Sequence, residues 1–227
     1  MQSPHTGRWL PAATGLAFLG LFVPGLVAAD LAATSTYPGP SRPLAEVVRY
    51  VNDNRTSIRW LAFFHGLAAM AFMLFAVHVA DTIRAFAPQA RQARLVAVVA
   101  GAAAAIFLLL DAVVFWLLVA PATGRNTDVL ATVHTLSYLC GGLALTLPLA
   151  AFIGTTSWVA LRAGFLPRWL AWVGIAAAVE GVAYWATVTG ERGVWSPSGV
   201  FVTLAVVPLW WIAAVSTALI RVDRARA

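Results

Sequence analysis

The sequence predicts an all-α protein, a polytopic bundle of six transmembrane helices with both termini on the inner side of the membrane. Composition, six long apolar runs and the distribution of arginines support this prediction. Of the 227 residues, 61% are hydrophobic and only 11% are charged, whereas about 25% of a soluble domain is charged. The mean hydropathy is +0.82. So few charges cannot cover a soluble surface, and disorder would need low hydrophobicity and high charge.

Six windows are long enough to cross a bilayer, which takes about 20 mostly apolar residues. Backbone polar groups in hydrocarbon must be satisfied within their own segment, so each window is expected to be a helix. We expect residues 1–227 to form a single transmembrane domain. The predicted spans are about Leu10–Ala29, Ile58–Ala80, Leu95–Ala120, Val129–Ile153, Trp169–Val188 and Gly199–Ile220.

The first apolar run can be interpreted in two ways, as a membrane-spanning helix or as a signal peptide. Arg8 precedes it, and Val27-Ala28-Ala29 before Asp30 resembles a signal-peptidase site. The run is nevertheless as long as a full span, so we expect an uncleaved helix, with a cleaved signal peptide as the alternative. Either choice leaves the later helices in the same orientation.

The arginines set the orientation and the compartment. The net charge is +6, but the arginines stand singly between apolar runs, which is typical of topology signals and not of a nucleic-acid surface. Nine of them fall on the segments that an N-in, C-in arrangement places inside, against six outside. The chain contains no Lys, which fits a GC-rich bacterial genome. We therefore expect a multi-pass protein of the bacterial cytoplasmic membrane.

An amphipathic segment is predicted outside the membrane at residues 43–55. Leu44, Val47, Val48 and Val51 recur at helical spacing and form one apolar stripe. The segment follows a turn-rich stretch after the first span. We expect a short helix that lies on the outer membrane surface or caps the bundle.

Titratable residues inside the predicted spans are the main functional signal, because such groups cost about 2.5–3.5 kcal/mol each on insertion scales. His65, Asp111, His134 and Glu180 come from four different helices. Counted from the outer helix ends, all four lie roughly 8–14 Å deep at about 1.5 Å per residue. We therefore expect one polar cluster near the outer leaflet. Tyr138 and Tyr184 extend it, each four residues after a member of the cluster and on the same face.

Four interpretations of the cluster compete. His–carboxylate pairs could simply fix helix register in a structural or partner subunit. Asp111 and Glu180 could carry protons in a small transporter, which is the preferred hypothesis. His65, His134, Asp111 and Glu180 could instead bind zinc, or the two histidines could be axial haem ligands. Chemistry on a lipid is the fourth interpretation, but no H-E-x-x-H, G-x-S-x-G, Walker or G-x-G-x-x-G motif supports an enzyme.

The segment from Arg162 to Gly174 contains Leu166-Pro167-Arg168-Trp169-Leu170. This segment resembles a motif of small bacterial multi-spanning membrane proteins of unknown function, of the actinobacterial type. The resemblance implies a cytoplasmic-membrane protein of about this size and carries over no activity and no functional residues. Expected partners are the lipid bilayer and not nucleic acid, and a homo-oligomer or a membrane partner stays open.

Overall fold

The computed structural model describes residues 10–39, 42–121, 123, 126–185 and 206–225. Every regular element within these ranges is helical. A π-helical stretch, called here the π segment, joins α5 to α6 without a break. The elements are α1 (Leu10–Ala32), α2 (Leu44–Asp53), α3 (Arg55–Phe86), α4 (Arg91–Leu118), α5 (Thr127–Tyr138), the π segment (Leu139–Ala144), α6 (Leu145–Ala163), α7 (Arg168–Trp185) and α8 (Val206–Ala225).

Five helical rods are long and apolar enough to cross a membrane: α1, α3, α4, the continuous rod from α5 to α6, and α8. The 18-residue helix α7 is not among these five. It contains Arg168 and Glu180, and the last three residues of its predicted run, 186–188, lie outside the described residues. The first seven residues of the last predicted run, 199–205, also lie outside them.

Several helices extend beyond the apolar runs that predicted them. Helix α3 covers Arg55–Phe86 where the run covers Ile58–Ala80, and the fourth rod continues to Ala163, ten residues past its run. The apolar run measures the hydrocarbon layer, whereas a helix can continue into the polar interface, where water and charged side chains are tolerated. The charged residues at the ends of α3, such as Arg55 and Arg84, belong to these extensions.

The π segment has a local cause in the sequence. Gly141 and Gly142 are poor helix formers, and Pro148 follows within the next turns. Proline has no backbone N–H for the carbonyl four residues earlier, and its ring crowds that carbonyl, which here belongs to Ala144. Insertions of this kind interrupt the regular hydrogen-bond ladder and are frequent at functional sites.

Helix α3 lies at the centre of the bundle, between α1 and α4, while α6 packs against α4 and α7. The buried apolar residues form two clusters along this bundle. The larger contains Phe72, Phe75, Phe152 and Trp211, and the smaller gathers at the α2 end around Val51. Along both α3 and α4, the boundary between the two clusters falls at the polar residues described below.

Large apolar side chains cover the outside of the bundle. Val99 is 67% exposed, Trp172 is 61% exposed and Trp116 is 60% exposed, and many other aliphatic residues of α1, α3, α4 and α7 are similarly uncovered. Contiguous apolar surface of this extent is uncommon on soluble monomers. It is the surface that a lipid bilayer covers.

Small residues let the helices approach closely inside the bundle. A side chain at Gly174 of α7 would collide with Ser157 of α6 and with the ring of Trp211. Trp211 itself is fully buried and donates its indole N–H to the Leu170 carbonyl at 3.2 Å. The contact explains how a tryptophan is accommodated in the middle of an apolar run.

The short helix α2 packs on α5 and α3, so it covers one end of the bundle. Its buried residues are Val47, Tyr50 and Val51. The predicted stripe is therefore rotated by part of a turn, because Leu44 is 37% exposed and Tyr50 takes a place in the core. Tyr50 fills this place because its ring meets Tyr37 edge-on, with the centroids 5.2 Å apart.

Candidate functional site

Two of the predicted polar residues form a buried pair between α3 and α4. His65 Nδ1 lies 2.9 Å from Asp111 Oδ2, and the two residues are 5% and 2% exposed. This distance requires one proton between the two atoms. Burying either polar group alone would be costly. Helices α3 and α4 can each carry a polar residue at this depth because the two residues pair with each other.

Aromatic rings fix the orientation of the His65 imidazole. Phe22 of α1 stacks on it with the centroids 4.8 Å apart and the planes 13° from parallel. Phe115 of α4 meets it edge-on at 5.8 Å. The imidazole therefore cannot turn away from Asp111 without losing both ring contacts.

The π segment lies directly on the Asp111 carboxyl group. A Cβ added at Gly141 would come 2.7 Å from Asp111 Cγ and Oδ1 and 2.8 Å from Oδ2. Only glycine lets the backbone approach a side chain this closely. The third and fourth rods are therefore in register where the π segment meets the His65–Asp111 pair.

A cavity of about 470 Å³ opens beside this pair. Most of its wall is apolar, with Leu26, Leu149 and Leu209 contributed by three different helices. Its polar wall residues come from α3, α4, the α5–α6 rod, α7 and the segment after α1. They are His65, Asp111, Ser137, Tyr138, Thr146, Glu180, Tyr184 and Tyr37.

Three atoms of these wall residues are buried without a hydrogen-bond partner among the described residues. They are His65 Nε2, Asp111 Oδ1 and Glu180 Oε2. Buried polar atoms in folded proteins are nearly always hydrogen-bonded, so an unpartnered group calls for an explanation. The three residues that carry these atoms all line the cavity.

The side chain of His134 does not take part in the cavity wall. It is 3% exposed, does not line the cavity, and donates from Nε2 to the Pro38 carbonyl at 3.0 Å. Tyr138 donates to the same carbonyl at 2.8 Å. The structure thus brings His65, Asp111, Tyr138, Glu180 and Tyr184 to one cavity and leaves His134 outside it.

The acceptor of both bonds belongs to the strap, the segment Ala33–Gly39 that follows α1. Asn54 anchors the start of the strap, since its Oδ1 accepts hydrogen bonds from Thr34 N at 2.6 Å and from Thr34 Oγ1 at 3.1 Å. Asn54 is 1% exposed and donates to the Tyr50 carbonyl at 2.9 Å. The sequence pattern does not reveal this role, because Asn54 ends the amphipathic stripe and resembles an ordinary helix terminus.

Tyr37 inserts its ring from the strap into the bundle, where it contacts the rings of His134 and Tyr138 at 5.3 and 5.7 Å. Its hydroxyl lies 2.9 Å from Ser137 Oγ. Ser137 already donates to the His134 carbonyl at 2.7 Å, so Tyr37 is the donor. Burial raises the pKa of the Tyr37 phenol well above its usual range, which keeps that proton in place.

His78, the second histidine of α3, has a partner that the sequence did not suggest. Its Nε2 lies 3.2 Å from Asp223 Oδ2 of α8, at the end of the bundle opposite to α2. His78 therefore lies apart from the cavity and is paired with the last described turns of the chain.

The zinc and haem hypotheses need ligands that converge. No three His, Cys, Asp or Glu side chains within the described ranges lie close enough to hold a metal ion. His134 is tied to the strap, so it does not face His65 across the cavity. The described residues therefore offer a His–Asp pair and a separate carboxyl group, and not a ligand set.

The fold and its apolar surface define a multi-pass membrane protein. Comparison with protein families gives a narrower assignment. The family model described as a domain of unknown function (DUF4386) matches residues 13–219. The chain belongs to this family. No curated protein and no solved structure gives a significant match to the chain.

We expect Gly141→Ala to destabilise the protein. The new methyl group would collide with the Asp111 carboxyl group, and overpacking of this kind costs about 1–3 kcal/mol. Thermal unfolding in detergent, followed by circular dichroism, measures the effect. Gly142→Ala is the matched control, because its Cβ would come no closer than 3.4 Å to the Tyr184 hydroxyl. Equal melting temperatures for the two variants would contradict the close contact at Gly141.

Asn54→Ala is expected to release the strap. The change removes the acceptor of two hydrogen bonds and leaves the Thr34 backbone N–H without its partner, a loss of about 1–3 kcal/mol. Backbone amides of residues 33–39 should then exchange faster with deuterium, as measured by mass spectrometry. Asn52→Ala, on the exposed side of α2, is the control. Exchange rates that match this control would show that Asn54 does not hold the strap.

Proposed function

We propose that this protein is a six-span transporter of the bacterial cytoplasmic membrane that couples movement of a small solute to protons. The cavity holds the solute, and the His65–Asp111 pair takes up and releases the proton. The observation that carries the proposal is a cavity whose wall includes the His65–Asp111 pair, in which Asp111 Oδ1 and His65 Nε2 have no hydrogen-bond partner among the described residues.

The proton step follows from the chemistry of the pair. One proton lies between Nδ1 and Oδ2, and the pair can accept one more, at His65 Nε2 or Asp111 Oδ1. Both residues line the cavity, so a bound solute changes the surroundings of the pair. Ionisable residues at membrane depth are rare and often mark proton or substrate pathways.

The sixth span in this proposal is α7. Its 18 residues extend about 27 Å at about 1.5 Å per residue, close to a hydrocarbon layer about 30 Å thick. It packs along α6, and Glu180 reaches the cavity from it. With α7 as a span, both termini lie on one side, and the arginine distribution favours the cytoplasm for that side.

Proteoliposomes that contain a pH-sensitive dye test the proposal. Small amphipathic solutes with cationic, neutral and anionic head groups are added outside, and protein-free vesicles are subtracted because weak bases cross bilayers unaided. We expect at least one solute to evoke a lumenal pH change that is lost in Asp111→Asn. Asp81→Asn is the control, since Asp81 is 52% exposed and away from the cavity. A folded protein that moves no protons with any solute class, or an Asp111→Asn variant of full activity, would leave the pair a purely structural role.

A further inference from the structure

We propose that the cavity selects amphipathic ammonium compounds, which are molecules with an apolar body and a protonated amine. The inference deepens the proposed function and rests on it for the role of the cavity in transport. Its basis is the balance of charge and hydrogen-bonding atoms at the wall, where two carboxyl groups face a largely apolar space.

The carboxyl groups leave acceptors free. Asp111 uses Oδ2 on His65 and has no described partner for Oδ1, and Glu180 has none for Oε2. Asp111 and Glu180 belong to α4 and α7, and both residues line the cavity. An ammonium group has up to three N–H donors and a positive charge that carboxyl groups compensate.

The hydroxyl donors of the wall are already occupied within the protein. The pairs are Tyr37 with Ser137 Oγ, Ser137 with the His134 carbonyl, Tyr138 with the Pro38 carbonyl and Thr146 with the Leu143 carbonyl. Tyr184 is the one wall hydroxyl without a partner among the described residues. A ligand that needs donors from the protein, such as a carboxylate or a phosphate, would find few free hydroxyl donors in the described part of the wall.

Charge gives the same preference. The described lining contains Asp111 and Glu180 and no arginine, and His65 is its one basic side chain. An anion would add a negative charge to a site that already holds carboxyl groups in a poorly solvated space, whereas a cation compensates them. Phe115, Tyr138 and Tyr184 line the same wall, and aromatic side chains favour cations further.

The apolar part of the cavity determines the size and the apolar character of the body of the ligand. Leu26, Leu149, Ile153 and Leu209 line it, together with Phe22. A volume of about 470 Å³ lies within the range of small-molecule pockets, about 300–1,000 Å³. A ligand with a single charged head and an aromatic or aliphatic body therefore matches both parts of the lining.

Three probes of one shape test the head group: phenylbutylamine, phenylbutanol and phenylbutyrate. Isothermal titration calorimetry of the full chain in nanodiscs at neutral pH, with lipid-only nanodiscs subtracted, gives each Kd. We expect the amine to bind about tenfold or more tightly than the alcohol, since a charge-assisted hydrogen bond is worth about that factor, and the carboxylate to bind most weakly. Equal affinity for amine and carboxylate, or tighter binding of the carboxylate, would overturn the inference.

Two variants locate the binding. Glu180→Gln and Asp111→Asn should each weaken the amine about tenfold and leave the alcohol nearly unchanged. Glu46→Gln and Asp81→Asn are the matched controls, because both acids are at least 40% exposed and neither lines the cavity. If Asp111→Asn does not fold, Glu180→Gln decides the question alone. Amine binding that is unchanged in Glu180→Gln would overturn the proposed site.

This experiment separates the ligand class from the proposed transport. If the amine binds as expected and no proton moves in proteoliposomes, the ligand class stands and coupled transport fails. If a neutral or anionic solute moves protons and the amine does not bind, transport stands and the ammonium preference fails.

Discussion

The hydrogen bond between His65 and Asp111 is the constraint on which the rest of the bundle depends. Both groups lie within apolar helices, where an unpaired charge would shift the balance against insertion and folding. Pairing binds α3 to α4 at one depth, and Phe22 and Phe115 hold the ring in place. The two apolar clusters of the core lie on either side of this point.

The π segment is the second part of the same constraint. It brings Gly141 against the carboxyl group of Asp111, so the rod from α5 to α6 is positioned by the same residue that pairs with His65. A regular helix with a side chain at this position could not approach as closely. The π segment therefore has a packing reason, and its Gly141 and Gly142 also line the cavity that Glu180 reaches from α7.

Part of this arrangement could be predicted from the sequence. Apolar run length predicts the helices, because a bilayer leaves few other structures for such segments, but it underestimates α3 and the fourth rod where they extend into polar surroundings. Counting residues from the outer helix ends predicts that His65 and Asp111 lie at one depth, because an α-helix rises by a fixed distance per residue. It could not show which way His134 points, because its partner is the Pro38 carbonyl on a segment without helical periodicity. Asn54 and Tyr37 were missed for the same reason, since turn geometry and not a repeating pattern determines their contacts.

Nitrogen NMR of histidine-labelled protein in lipid bilayers tests the central interaction most directly. The chain has only four histidines, so single substitutions assign the signals. The structure predicts that one proton is shared between His65 Nδ1 and the Asp111 carboxyl group, so the His65 signals shift in Asp111→Asn and stay unchanged in Asp81→Asn. Signals of His65 that are the same in Asp111→Asn and in the unaltered protein would contradict the pair and the site built on it.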